Sequence, residues 1–102
     1  MPKIRIAEPA GEDLEDIWEY VATNNAEAAR KLIKEITGKF KLLRDHPHIG
    51  REENTLLGAL RSFPVSSYII LYKPFDNGVE ILRILHAARD LERILGSFID
   101  SH

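Results

Sequence analysis

The chain has 102 residues, 44% of them hydrophobic, and a formal net charge of −2. That length holds one domain with an ordinary core and no second one, and the lack of cysteine excludes disulfides and thiolate metal sites while fitting a reducing compartment. No apolar run nears the roughly 20 residues needed to span a bilayer, and residues 1–8 alternate charged and apolar side chains where a signal peptide would have an apolar block. The expectation is a cytoplasmic domain that does not enter the membrane. Lys and Arg are interleaved with Asp and Glu along almost the whole chain. That balance argues against a grip on nucleic acid through its phosphates and favours a protein partner or a small polar substrate.

Residues 3–7 alternate with period two and predict a first strand, broken by Pro9, Ala10 and Gly11. From Gly11, residues Leu14, Ile17, Trp18 and Val21 lie at i, i+3, i+4 and i+7, one face of an amphipathic helix. Trp18 on that stripe is expected in the core. Thr23, Asn24 and Asn25 close this helix and cap the next, which keeps helical spacing over 26–44 through Ala29, Leu32, Ile33, Ile36, Phe40 and Leu43. Gly38 weakens it by about 1 kcal/mol relative to alanine, and His46-Pro47 ends it. The short link makes the two helices an antiparallel hairpin.

Residues 46–58 read as an irregular loop with a turn of helix near Glu53. Three strands follow, over 60–65, 68–72 and 79–85. Pro64 marks the first as an edge or as stopping early, and Asp76-Asn77-Gly78 predicts a type I′ hairpin before the last. A final short helix is expected over 87–95, with Leu91, Ile94 and Leu95 on one side. The domain is expected to span 1–96, with 97–102 as a flexible tail. The order is β-α-α-β-β-β(-α), an α+β fold with an antiparallel sheet packed on a two-helix hairpin.

The chemistry-bearing residues gather at the end of the last strand: Arg83, His86, Arg89 and Asp90. Simple alternation would put Val79, Ile81, Arg83 and Leu85 on one face and Glu80, Leu82, Ile84 and His86 on the other, so Arg83 breaks an apolar pattern. Either it projects into a cleft on the sheet face away from the helices, to bind a carboxylate or phosphate, or it forms an internal ion pair with Glu80 or with an acidic residue of a helix. His86 with Arg89 has the groups for proton transfer and charge stabilisation; the competing reading is a structural or capping histidine. Asp90 either caps the last helix or neutralises Arg89. Arg61, if strand pairing brought it beside Arg83, would complete an anion site. Glu52 and Glu53 are candidate general bases if their loop folds over the cleft. His46 and His48 have no third ligand implied, so no metal is expected. No Gly-rich phosphate loop, serine elbow or cysteine nucleophile is present, and no cofactor is expected.

Taken in order and spacing, several segments are similar to the ParE/RelE toxin superfamily, and closer to its ParE-like branch, over residues 3–95. They are Ala10 with Asp13, Leu14, Glu15, Asp16, Ile17 and Tyr20; Ala29 and Ile36 with Phe40, Lys41, Leu42 and Leu43; Pro47-x-x-Gly50-Arg51; Leu60-Arg61-Ser62-Phe63; Tyr68 to Tyr72; and the closing stretch from Val79 to Asp90. The resemblance implies the toxin of a type II toxin–antitoxin pair, of the plasmid-stabilisation kind, bound and blocked by a ParD-like or related antitoxin encoded beside it. ParE-like toxins imply DNA gyrase as the target. RelE-like relatives imply ribosome-dependent cleavage of messenger RNA, with Arg61 and Arg83 on phosphate and His86 as acid. A third reading is a non-toxic member kept as a binding module. The stretch Arg51-Glu52-Glu53-Asn54 lacks the lysines of the RelE-type site. With the acidic balance, this favours a protein target, with Arg61, Arg83, His86 and Arg89 as its contact patch.

Overall fold

The two ends of the sheet-forming sequence lie side by side at one edge of the sheet. Strand β1 (Lys3–Ile6) runs parallel to the last strand, β5 (Gly78–His86), with Lys3 opposite Gly78 and Ile6 opposite Ile81. Between them come helices α1 (Glu8–Ala22) and α2 (Ala26–Asp45), then β2 (Arg51–Thr55), β3 (Gly58–Val65) and β4 (Tyr68–Phe75). The computed structural model describes residues 1–55 and 58–90. The sheet order is β1-β5-β4-β3-β2, antiparallel except at β1–β5. The α+β architecture is the one expected, with one strand more.

The apolar stripes of the hairpin pack on one face of the sheet. Ile17 of α1 and Ile36, Phe40 and Leu43 of α2 meet Ile70, Tyr72, Val79, Ile81 and Ile84. Each fully buried aliphatic side chain there contributes about 1.5–3 kcal/mol. Among the described residues the opposite face holds a small cluster of Leu60 and Leu71 with half-buried Leu82, so β5, an inner strand beside β1, is thickly covered by the described residues on one side.

Four local expectations need correction. Helix α1 starts at Glu8, not after Gly11, because Pro9 falls in its first turn, where the missing N–H costs no helical bond and φ is already suitable. Trp18 is 38% exposed and not in the core: the stripe is wide, and Leu14, Ile17 and Val21 take its inner side. The stretch read as a loop near Glu53 is strand β2, paired from Arg51–Ser62 to Thr55–Gly58. Its charged composition suits the outermost strand of the sheet. Strand β3, read as an edge because of Pro64, lies inside the sheet between β4 and β2; Pro64 is tolerated because β2 pairs β3 only as far as Ser62. Asn25 caps α2 as expected, its Oδ1 accepting from the Ala28 N–H at 3.0 Å. Residues 87–90 form a turn, with the N–H groups of Arg89 and Asp90 donating to the His86 carbonyl. The rest of the expected last helix and the tail lie outside the described residues.

The β4–β5 hairpin forms where predicted but is not type I′. Such a turn needs positive φ at Asp76 and Asn77; here the positive φ belongs to Gly78, at 145°. That glycine is required twice over. A Cβ on it would lie 1.9 Å from the Lys3 carbonyl oxygen, so β1 could not dock. Gly38 is the contrast, with nothing within 4 Å of an added Cβ. Gly78→Ala is expected to destabilise by at least about 2 kcal/mol, and Gly38→Ala to stabilise by about 0.5–1 kcal/mol. Urea unfolding measures both, and amide exchange at Ile4 and Ile6 reports whether β1 has detached in the first.

Candidate functional site

Arg61 sits on β3 opposite Tyr72, and β4 separates it from β5. Its guanidinium is committed locally. Nη1 donates to the carbonyls of Gly50 (2.7 Å) and His48 (3.1 Å), and Nη2 to Glu52 (3.2 Å). The Tyr72 hydroxyl completes the anchorage of this loop, donating to the Pro47 carbonyl at 2.8 Å and accepting the Gly50 N–H at 2.9 Å. A Cβ at Gly50 would lie 2.5 Å from that hydroxyl. The Pro47-x-x-Gly50 spacing is therefore the footprint of one buried phenol, whose ionisation burial pushes to higher pH. Glu53 is taken as well, by the Ser62 hydroxyl at 2.6 Å.

Arg83 takes the second of its two readings. Along β4, Tyr72 faces Ile81 and Leu71 faces Arg83, so Leu82 is an extra residue in β5, a β-bulge. The bulge resets the alternation. Val79, Ile81 and Ile84 face the helices, and Arg83 falls opposite Leu71, off the core face. Its partner is Asp13 of α1: Arg83 Nε donates to Oδ2 at 2.8 Å and Nη2 to Oδ1 at 3.0 Å. Asp13 Oδ2 also accepts the Ile84 backbone N–H at 2.9 Å. The hydrogen bonds it donates to Asp13 hold the guanidinium above its ordinary pKa against the opposing effect of burial.

His86 stands edge-on to Tyr68, ring centres 5.3 Å apart at 85°. Its Nδ1 is buried without a hydrogen-bond partner among the described residues. Asp90 accepts the His86 backbone N–H at 3.2 Å and pairs with Arg89, whose Nε lies 3.2 Å from Oδ1. Asp90 thus does the neutralising that its sequence position allowed. A cavity of about 260 Å³ opens beside this turn, walled on one side by Asp13, Asp16, Ile17 and Tyr20 of α1. Tyr68 and Ile84 form its sheet side, and Arg89 and Asp90 its rim.

The structure thus brings Arg83, His86, Arg89 and Asp90 to one end of β5 and leaves Arg61, Glu52 and Glu53 at the β2–β3 edge. His46 and His48 join no group of three potential metal ligands among the described residues. Two residues that organise these regions, Asp13 and Tyr72, carried no local signal of it. Asp13 is one acid among several on α1, and Tyr72 one large side chain in an apolar strand.

Asp13→Ala is expected to destabilise by about 2–3 kcal/mol, because it strands both a half-buried guanidinium and a strand N–H; equilibrium denaturation measures it. Tyr72→Phe is expected to cost about 1–3 kcal/mol through the unsatisfied Gly50 N–H. The raised Tyr72 pKa means that the folded state holds this proton more tightly. Stability from it is fully present below about pH 10 and is lost as pH rises above the unfolded-state value. The gap between wild type and Tyr72→Phe should therefore narrow in alkaline denaturation curves.

Residues 4–91 match the family described as ParE toxin of type II toxin-antitoxin system, parDE. Toxin ParE1 of Caulobacter vibrioides is 28% identical over 97 residues, covering 94% of this chain and 100% of that protein. Toxin ParE3 of the same organism is 31% identical over 97 residues, covering 94% of this chain and 97% of that protein. A chain of the chromosomal ParDE TA system from P. aeruginosa superposes with a TM-score of 0.69 over 84% of this chain and 96% of its own; at 23% identity the likeness is one of fold. The family match runs from β1 to the turn after β5, and the relatives align over nearly their full length. This chain belongs to the ParE toxin family of type II toxin–antitoxin systems.

Proposed function

We propose that the protein is a toxin that acts by binding DNA gyrase, using the end of β5 with Arg83, His86 and Arg89 as its contact patch, and that a ParD-like antitoxin made beside it neutralises it. One observation carries the preference for binding over RNA cleavage: the residues a nuclease centre would need do not converge. Arg61 holds a loop at one edge of the sheet and pairs with Glu52, Glu53 is taken by Ser62, and Arg83 and His86 lie beyond β4. Each of these arginines is already paired with a carboxylate of the same chain, and so is Arg89. General acid–base cleavage needs an acid, a base and charge stabilisation within hydrogen-bond reach of one phosphate. A protein contact needs only a shaped and firmly held surface.

The test is a supercoiling assay with purified gyrase. Stoichiometric toxin should inhibit supercoiling, and the cognate antitoxin should restore it. Gyrase that works unimpeded under excess toxin would remove it as the target. Induction in cells separates the alternative: messenger RNA cleaved by wild type and intact with His86→Ala would install the ribosome-dependent nuclease instead.

A further inference from the structure

The end of β5 was expected to recognise anions, and its charges say the opposite. We infer that the cavity beside the β5 turn receives a cation, namely an arginine side chain of a protein partner. Among the described residues its walls carry three carboxylates, Asp13, Asp16 and Asp90, against one guanidinium, Arg89. Asp13 is fully engaged by Arg83 and by the Ile84 N–H, and Asp90 pairs with Arg89. Even with Arg83 counted against Asp13, one negative charge remains. It belongs to Asp16, which is exposed and has no ion pair or hydrogen bond among the described residues.

The rest of the lining suits the same occupant. Asp13, Asp16, Ile17 and Tyr20 follow i, i+3, i+4, i+7 and so share one face of α1. Ile17 and Ile84 give an apolar bed for an aliphatic stem. Tyr20, 70% exposed, offers a free aromatic face on which a planar guanidinium stacks. Tyr68 is an independent pointer. It is only 7% exposed and lines the cavity, yet its hydroxyl has no hydrogen-bond partner among the described residues. With the ring buried and the residue lining the cavity, that hydroxyl is free to accept a guanidinium N–H from an occupant. The size agrees: about 260 Å³ is below the roughly 300–1,000 Å³ of small-molecule sites and holds a single long side chain. An arginine fits better than a lysine because the stacking surface and the carboxylate each match a flat, forked cation.

The source of that side chain, a protein bound by the patch, rests on the reading given under Proposed function; the chemistry of the cavity does not. The test therefore uses a small probe and no gyrase. The full-length chain, labelled with 15N, is titrated with N-acetyl-L-arginine methylamide and followed by amide chemical shifts. Saturable shifts at Ile17, Tyr20, Tyr68 and Ile84 are expected. They should be absent with the neutral citrulline analogue and weakened about fivefold or more in Asp16→Asn, whose other resonances stay in place. No saturable shift, equal shifts with citrulline, an unchanged response in Asp16→Asn, or preferential binding of N-acetyl-L-glutamate methylamide would each overturn the inference. Gyrase inhibition can succeed or fail independently of this result.

Discussion

One carboxylate decides how the helices meet the sheet. Strand β1 ends at Ile6, opposite Ile81, while β5 runs on to His86. Past that point β5 has an open edge, and a strand N–H left there without a partner is costly once water is excluded. Asp13 fills the place of the missing strand. It accepts the Ile84 N–H and, with the same two oxygens, holds Arg83 in a forked pair. The contact joins residues 70 apart in sequence, so it fixes α1 against the sheet as no local interaction can. The cavity beside it follows: with α1 anchored at Asp13, Asp16 and Tyr20 overhang the turn after β5.

That anchor also changes the meaning of the arginines. Counted in the sequence, Arg61, Arg83 and Arg89 are three positive charges at the rim of a sheet. In the fold each has a carboxylate within 3.2 Å or less. Charges neutralised in this way lose most of their reach towards a distant phosphate, since an added anion must compete with an oxygen already in contact. Arg61 and Tyr72 serve the polypeptide itself, clamping the loop from Pro47 to Gly50 through its backbone. The near-neutral balance of the whole chain is repeated in each local pairing.

Where the sequence was legible, a local rule acted alone. The 3.6-residue stripes gave both helices, Asn25 its cap, and the apolar runs β4 and β5. The failures fall where two rules compete or where the determinant is distant. Pro9 looks like a break but sits in a first turn that tolerates it. Arg51 to Thr55 has the composition of a loop and the pairing of an edge strand, which only β3 reveals. Trp18 matches the apolar stripe, and nothing local says that Leu14 and Ile17 already fill the inner side. At the candidate site, the four residues at the end of β5 were visible because they are adjacent in sequence. Asp13 was not singled out, although an acidic helix residue was one of the two partners open to Arg83. Arg61 was grouped with Arg83 because strand pairing was imagined between neighbours in a meander, whereas β4 lies between their strands.

The anomaly of a charged residue inside an apolar strand has a geometric resolution that needs no active site. Without the extra residue at Leu82, strict alternation would carry Arg83 to the same face as Val79 and Ile81, into the core beneath the helices, where an unpaired guanidinium would be prohibitive. With it, Ile84 takes the core position opposite Ile70, and Arg83 is free to meet Asp13. The bulge and the ion pair therefore require each other. A straight strand would bury the charge, and a bulge without Asp13 would leave both the guanidinium and the Ile84 N–H unmatched. An arginine in the middle of an apolar run is here the sequence trace of a register shift. The cost of that shift is offset by one acid on the first helix, while the acid one turn further on, Asp16, has no ion pair among the described residues.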